Sequence, residues 1–387
     1  MMRVLGPVLT AHYLAAFTAL GMPVFMPRVL GALAPDAPAW LAGALYVLPT
    51  VCTALTATTW GRLADRYGRR LSLLRAQLGL ALGFAMAGFA PHLGWFVLAL
   101  AIQGTCGGSL AAANAYLATQ FGRDGSLARA LDWTQFSARL AMVSAPALLG
   151  LAMAWGSPQA LYRYLALLPL VAFAVTLCLP RDDGHATHAA TRATAPVWRD
   201  WLGLLGVQFL FYFAMVVTFP YFVPYAERLG VTRDATAGLL YSLPHLVYLV
   251  ALPWWRGAAM APDRPLLLGL GVFSLACLAH AMAPSPAWIV AARLLYGAGM
   301  LLALGGLNRA LGQRAAGGHA GHVFGLFDAC GKWAGAAGGL TAGALVSRID
   351  LAAPFVAAAL AGLAAVATAA LVFRPLKRSL HVPASDT

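Results

Sequence analysis

Four charged side chains stand out inside stretches of this sequence that are apolar and long enough to cross a membrane. Asp328 and Lys332 stand four residues apart, and Arg139 and Arg293 lie in two other apolar stretches. A charge near the centre of a bilayer costs about 2.5–3.5 kcal/mol or more, so such residues usually face a cavity or a partner. Three cations against one carboxylate leave a surplus of two positive charges. This surplus predicts a pocket that an anion enters.

Arg139 and Lys332 are the predicted anion ligands, facing each other across this pocket, with Arg293 as a further candidate. The alternative is that Lys332 only neutralises Asp328, because residues at i and i+4 share a helix face. In that alternative both arginines bind backbone carbonyl groups or extend to the membrane surface. Other polar residues in the apolar stretches complete the predicted substrate lining: Gln135, Tyr212 and Tyr241.

Proton transfer needs a titratable group, and Asp328 is the predicted carrier. It is the one clear carboxylate inside the predicted spans, and the first six spans contain none. His12 and His245 are alternatives because imidazole titrates in the physiological range. A lone histidine among apolar residues also serves as a hydrogen-bonded packing residue.

The composition defines the elements that must position these groups. The chain has 387 residues, of which 61% are apolar and 10% charged. Soluble domains carry about 25% charged residues, so the sequence predicts an all-α integral membrane protein. At about 20 residues per span, we expect twelve transmembrane helices: Leu5–Pro27, Trp40–Trp60, Leu71–Ala90, Trp95–Thr119, Trp133–Trp155, Leu161–Leu179, Trp201–Tyr225, Thr236–Trp255, Leu266–Ala283, Trp288–Leu311, Val323–Val346 and Leu351–Phe373.

The distribution of basic residues predicts the orientation. With the N-terminus inside, the cytoplasmic segments hold 17 Lys and Arg residues and the outer loops hold 5. Cytoplasmic loops of membrane proteins carry this excess, so both termini are predicted to be cytoplasmic. The net charge of +13 therefore reflects membrane topology, and no nucleic-acid partner is predicted.

The chain is predicted to consist of two six-helix halves, residues 1–180 and 201–373, joined by a cytoplasmic linker at 181–200 and followed by a tail at 374–387. A shift of 193 residues places Gln135 and Arg139 on Asp328 and Lys332, and Leu100 on Arg293. A repeat at half the chain length is typical of transporters built from two parallel halves.

The segment Gly61–Arg70, G-R-L-A-D-R-Y-G-R-R, is predicted to be a tight cytoplasmic turn between two spans. It resembles the loop 2–3 signature of the major facilitator superfamily, G-x-L-A-D-R-x-G-R-[KR]-x-x-L. The resemblance implies a gating role for its residues Gly61, Asp65, Arg66, Gly68, Arg69 and Arg70. Its counterpart in the second half, Arg256–Pro265, keeps only Arg256, Asp263 and Arg264. Pro146 and Gly150 resemble a degraded antiporter motif, G-P-x-x-G-G, and are further gating candidates.

The resemblance implies a proton-coupled secondary transporter of the inner membrane that works by alternating access. It is most similar to bacterial drug–proton antiporters. The cationic pocket, and the absence of a carboxylate in the first six spans, favour export of a small organic anion, such as a hydroxycarboxylate or a carboxylate siderophore. The alternatives are proton-coupled uptake of an organic anion, multidrug efflux and, least favoured, a non-transporting membrane sensor or scaffold. The expected partners are the small-molecule substrate, protons and the lipid bilayer, and the expected state is a monomer.

Enzymatic activity is not predicted. The chain has no Walker sequence, no Ser/His/Asp constellation and no metal-ligand spacing among its five cysteines. His185 and His188 in the linker could bind a metal, but exposed histidines of this kind are usually solvated. No cofactor or metal site is therefore predicted.

Overall fold

The computed structural model describes residues 2–121, 126–181, 201–257, 261–314 and 320–378. Within these residues the regular structure is helical, as predicted. Short 3-10 turns follow the first and seventh α-helices, at Met22–Phe25 and Met153–Trp155. The α-helices are α1 Met2–Gly21, α2 Met26–Leu33, α3 Trp40–Tyr67, α4 Arg69–Gly88, α5 Leu93–Cys106, α6 Ser109–Phe121, α7 Leu127–Ala152, α8 Pro158–Leu165, α9 Leu167–Leu177, α10 Leu202–Val217, α11 Phe222–Arg228, α12 Asp234–Gly257, α13 Asp263–Ala281, α14 Pro286–Arg314, α15 Ala320–Arg348 and α16 Ala353–Arg378.

The described helices include ten segments that are long and apolar enough to cross a membrane. The pair α10 and α11, bent by 49° between them, makes an eleventh. The remaining predicted span corresponds to α15, which has 29 residues but contains seven glycines together with Asp328 and Lys332. The all-α membrane fold is confirmed, and the count of twelve spans stays a prediction at α15.

Several predicted spans are interrupted helices. Proline has no N–H for the helical ladder, and Pro220 lies between α10 and α11. Glycine readily adopts positive φ, and Gly108 lies between α5 and α6 with φ 88°. The fourth and seventh spans are therefore each built from two helices.

The turn predicted at Gly61–Arg70 is shorter than expected. Helix α3 continues to Tyr67 and α4 begins at Arg69, so only Gly68 separates them. Gly68 has φ 100° and its N–H donates to the Ala64 carbonyl, which ends α3. Left-handed glycines end helices in this way. Gly61, Asp65 and Arg66 therefore lie on the last turns of α3, and Arg69 and Arg70 lie on the first turn of α4.

Equivalent contacts recur in the two halves at the predicted shift. The Trp95 indole N–H donates to the Met86 carbonyl at 3.1 Å, and the Trp288 indole N–H donates to the Ala279 carbonyl at 2.8 Å. Both tryptophans and both acceptors are 193 residues apart. The structure thus supports the repeat that the sequence predicts.

Two pairs of helices join the halves, α3 with α15 and α7 with α12. Most of the predicted linker, including His185 and His188, lies outside the described residues, so the domain boundaries stay predictions.

Candidate functional site

Three pockets lie beside the helices that join the halves, and we group them into two lobes. We use "loop end" for the end of the bundle at Tyr67–Arg69, and "far end" for the opposite end at Trp40 and Gly343. The first lobe lies among α1 and α3–α6, and it consists of adjoining chambers of about 270 Å³ and 190 Å³. The second lobe, of about 600 Å³, lies among α7, α10, α12, α14 and α15. Gly61, Ala64 and Arg69 line the first lobe, so the cavity reaches the loop end.

Helix α15 contributes one charge to each lobe. The Lys332 ammonium lies 2.6 Å from an Asp328 carboxylate oxygen, which is the i,i+4 pair considered above. Lys332 lines the first lobe and Asp328 lines the second. The Asp328 side chain is 65% exposed.

Arg139 lines the second lobe and contacts α12 of the other half. Its Nη1 donates to Nδ1 of the buried His245 at 3.2 Å, and its guanidinium lies 4.7 Å from the centre of the Tyr248 ring. Because Nδ1 accepts this bond, His245 carries its ring proton on Nε2. Arg139 and Lys332 line different lobes in this structure, and their pairing across one pocket as anion ligands stays a prediction.

Arg293 and Tyr241 are not among the residues that line either lobe. Arg293 is 1% exposed, and it donates from Nε to the Leu240 carbonyl at 2.9 Å and from Nη2 to the Tyr241 carbonyl at 2.5 Å. Pro244 has no N–H to offer the Leu240 carbonyl four residues earlier, and Arg293 supplies the missing donor. Tyr241 is fully buried beside Arg293. Both residues are buried in packing contacts in this structure, and their assignment to the substrate lining stays a prediction.

The other predicted residues divide between the second lobe and the protein core. Gln135 and Tyr212 line the second lobe with Arg139. His12 is buried, and its Nδ1 lies 3.1 Å from Ser137 Oγ of α7 in the same half. This places His12 at a packing contact away from the described cavity.

Asp132 is a cavity carboxylate that the sequence analysis missed. The fifth span was predicted to begin at Trp133, whereas α7 begins at Leu127 and carries Asp132 into the second lobe. The statement that the first six spans contain no carboxylate is therefore wrong. The polar segment before Trp133 hid the first turns of the helix, because a helix can extend beyond the apolar layer.

The charged side chains that line the two lobes are mostly cationic. They are Arg69, Arg75, Arg139, Arg309 and Lys332, with Asp132 and Asp328 as the carboxylates. Asp65 pairs with Arg69, so the excess over the carboxylates falls from three positive charges to two. The lining of the two lobes therefore keeps a net positive charge.

Polar contacts close the cavity at the far end. Arg28 of α2 lies 3.0 Å from both Glu227 and Asp234 of the second half. The Tyr221 hydroxyl accepts from the Gly43 N–H at 2.9 Å and donates to the Ala39 carbonyl at 2.6 Å. These bonds tie the two halves together away from the loop end.

Asp350 begins α16 at the same end. Burial acts to raise the pKa of Asp350, but bonds from the Ala353 and Ala352 N–H groups and from Arg228 lower it below its usual value. A carboxylate at a helix N-terminus is stabilised in this way. Asp350 therefore stays ionised, and it links α16 to α11 within the second half.

Close backbone packing accompanies these bonds. A Cβ at Gly150 would overlap the Asp234 carbonyl, and one at Gly238 would overlap the Pro146 carbonyl. A Cβ at Gly343 would likewise overlap the Trp40 carbonyl. Pro146 and Gly150 thus lie where α7 meets α12 across the halves, and their gating role stays a prediction.

The signature residues at the loop end bond within the first half. Asp65 pairs with Arg69, and Arg70 donates to the Thr176 carbonyl at 3.3 Å. The Arg66 guanidinium lies 5.3 Å from the centre of the Tyr67 ring. Their predicted role in gating is not tested by these contacts.

The sequence matches the Major Facilitator Superfamily over residues 5–257 and again over residues 204–386. The chain therefore belongs to this superfamily of multi-pass membrane proteins.

Curated relatives include multidrug resistance proteins called MdtG. The protein from Proteus mirabilis (strain HI4320) is 28% identical over 253 residues, which cover 60% of this chain and 61% of that protein. The one from Erwinia billingiae (strain Eb661) is 26% identical over 291 residues, covering 72% and 70%. The chain thus spans about 61% of the Proteus protein, and it is similar to proteins named for multidrug resistance.

Solved structures confirm the fold. A POT family transporter in complex with 5-aminolevulinic acid has a TM-score of 0.77 at 11% identity, covering 96% of both chains. The human organic anion transporter MFSD10 (TETRAN) has a TM-score of 0.69 at 17% identity, covering 95% of this chain and 99% of that one.

Proposed function

We propose that this protein is a proton-coupled exporter of small organic anions, with hydroxycarboxylates as the favoured substrates. The observation that carries the proposal is the excess of cationic side chains lining a cavity between the two halves. An anion that enters neutralises this excess. A cationic compound would add to it.

The arrangement fits one state of an alternating-access cycle. The cavity reaches the loop end, and the far end is closed by Arg28 and Tyr221. The excess of basic residues assigns the loop end to the cytoplasm, which makes this an inward-open state. Export is favoured because the curated relatives are multidrug resistance proteins, and uptake by symport would use the same cavity.

We propose that proton coupling acts through two contacts beside the second lobe. One is the Asp328–Lys332 pair, and the other is the bond from Arg139 to His245. In this proposal Arg139 and Lys332 hold the substrate anion, and a proton on Asp328 changes the pairing of Lys332. A proton on Nδ1 of His245 would end its bond from Arg139 and place two cations side by side. Proton and anion are proposed to compete for this site, as antiport requires.

Multidrug efflux is the second candidate. It is favoured by the similarity to multidrug resistance proteins and by the aromatic side chains of the second lobe, Phe136, Tyr212, Tyr248 and Phe327. Aromatic rings accept many flat organic compounds. In this candidate the cations would repel part of the usual range of cationic drugs.

Transport in proteoliposomes tests the two candidates. We expect radiolabelled citrate to enter vesicles with an acidic interior, as antiport requires, and ethidium to enter slowly. Lys332→Gln and Arg139→Gln should each lower citrate transport about tenfold or more, because bonds to charged groups contribute about 1.5–3 kcal/mol. The controls are Arg348→Gln and Arg129→Gln, which remove a charge from the same helices outside the cavity.

The outcomes separate the alternatives. Citrate uptake driven only by an acidic exterior would show symport, and equal rates without a pH gradient would remove proton coupling. Rapid ethidium transport that both variants leave unchanged would favour multidrug efflux. A protein that moves neither compound would contradict the proposal of anion export.

A further inference from the structure

The fourth span is interrupted in the middle of the first lobe. Helix α5 ends at Cys106 and α6 begins at Ser109, with Gly107 and Gly108 between them. Gly108 has φ 88°, and a Cβ at Gly107 would overlap the Gln103 carbonyl. Only glycine fits both positions without strain, so the two glycines build this interruption.

The carbonyl side of the interruption is fully bonded. Carbonyl groups at the end of a helix have no helical donor, and here side chains from α3 and α4 supply the donors. Thr53 donates to Gly104 at 2.8 Å, Trp60 to Thr105 at 2.6 Å, and Arg75 to Cys106 at 2.7 Å and Gly107 at 3.0 Å. No carbonyl from Gly104 to Gly107 therefore needs a ligand.

The N–H side is open by contrast. The first bond of α6 runs from the Ala112 N–H to the Gly108 carbonyl at 3.0 Å. The N–H groups of Ser109, Leu110 and Ala111 have no acceptor among the described residues. They form the positive end of a helix of 13 residues.

Two buried side chains at this end also lack partners. Ser109 and Gln103 are each 5% exposed, and neither Ser109 Oγ nor Gln103 Oε1 has a hydrogen-bond partner in the described part of the chain. Both line the 270 Å³ chamber together with Lys332 of the other half. Buried polar atoms are rarely left unbonded, so this group is poised for a ligand.

We propose that the N-terminus of α6 binds the carboxylate of a hydroxycarboxylate substrate. The carboxylate accepts from the first-turn N–H groups and from the Ser109 hydroxyl. Lys332 supplies a positive charge beside the carboxylate. Its ammonium has three donors, and Asp328 uses one of them. Gln103 Oε1 accepts from the ligand hydroxyl. This inference rests on the proposed transport of organic anions, and it names the group that holds the anion.

Binding of three matched probes to the purified full-length protein tests the proposal. Mandelate has both a carboxylate and a hydroxyl, mandelamide lacks the charge, and phenylacetate lacks the hydroxyl. We expect wild-type protein to bind mandelate at least about tenfold more tightly than mandelamide, and more tightly than phenylacetate. Isothermal titration calorimetry in detergent measures the three affinities.

Variants at the helix start locate the binding group. Ser109→Ala removes the hydroxyl and should weaken mandelate binding about three- to tenfold, leaving mandelamide nearly unchanged. Ser109→Pro also removes an N–H at a position where a helix tolerates proline, and its effect should be larger. Gln103→Met should remove the preference for mandelate over phenylacetate. Thermal unfolding of each variant confirms that it is folded.

Two results overturn different statements. If wild-type protein does not prefer mandelate to mandelamide, the proposed anion transport fails and this inference fails with it. If the preference persists in Ser109→Ala and Ser109→Pro but is lost in Lys332→Gln, the anion binds elsewhere in the cavity. In that case the inference fails and the proposed function stands.

Discussion

The fourth and tenth spans are repeats of each other, yet their polar groups differ in position and bonding. Leu100 in α5 and Arg293 in α14 are equivalent, and each is 1% exposed. The fourth span is broken at Gly108 and presents free N–H groups to a cavity. The tenth span is a continuous helix whose arginine is buried against α12.

The packing frame around these spans is nevertheless shared. Gly104 is so close to Pro49 of α3 that a Cβ would overlap it, and Gly297 has the same relation to Pro244 of α12. Each half also has one arginine that bonds to carbonyl groups at an interruption. Arg75 donates to the Cys106 carbonyl at the gap in the fourth span, and Arg293 donates to the Leu240 carbonyl beside the proline in α12. A cation inside a membrane protein can therefore have a structural role. The groups that accept its hydrogen bonds determine whether it stabilises the fold or binds a ligand.

The strongest test of this comparison makes the tenth span resemble the fourth. We expect Arg293→Leu to lower the stability by on the order of 2 kcal/mol, because two charge-assisted bonds are lost and the Leu240 carbonyl is left buried without a donor. The thermal unfolding midpoint in detergent should fall by several degrees. Mandelate binding by the protein that stays folded should change little.

The matched control is Arg348→Leu, which removes a cation from the end of α15, away from the cavity. Its unfolding midpoint should stay near that of the wild type. If Arg293→Leu unfolds like the wild type but loses mandelate binding, Arg293 contacts substrate and the contrast between the spans is wrong.

A second test acts on the interruption itself. Ala at position 108 must adopt the left-handed backbone of Gly108, which costs about 1–2 kcal/mol for a residue with a side chain. We expect Gly108→Ala to lower both the unfolding midpoint and the affinity for mandelate, because the first turn of α6 shifts.

Gly312→Ala gives the comparison in the tenth span. Gly312 lies in α14, and a Cβ there would meet nothing within 4 Å. Replacing a helical glycine by alanine favours the helix by up to about 1 kcal/mol, so this variant should be as stable as the wild type or more so. Equal effects of the two substitutions would show that the gap at Gly108 carries no strain.

The sequence predicts the frame of this protein better than its site. Span length and the 193-residue shift predict the helices and the relation between the halves, because burial of apolar surface determines these features. These features do not predict the direction of a buried arginine side chain. Arg139 and Arg293 are both arginines inside apolar spans, and only the structure shows that Arg293 lies beside Pro244. The break at Gly107 and Gly108 lies inside a stretch that span length predicts as one helix, Trp95–Thr119. A Gly-Gly pair inside an apolar run is also a turn signal, and that signal would have found it.

The smallest expected effect concerns Asp65, for which the two halves also differ. The signature of the first half has decayed in the second, where only Arg256, Asp263 and Arg264 remain. Asp65 pairs with Arg69 in this structure, which we propose is inward-open. We expect it to reach the start of α15, near Gly321–Val323, when the loop end closes, since a carboxylate near a helix N-terminus is favoured by about 0.3–1 kcal/mol. Asp65→Asn should therefore slow citrate transport about two- to fivefold, with mandelate affinity unchanged.

Asp263→Asn, at the start of α13, is the matched control and should have a smaller effect. Equal transport rates in the two variants and the wild type would leave this segment with a role in topology alone.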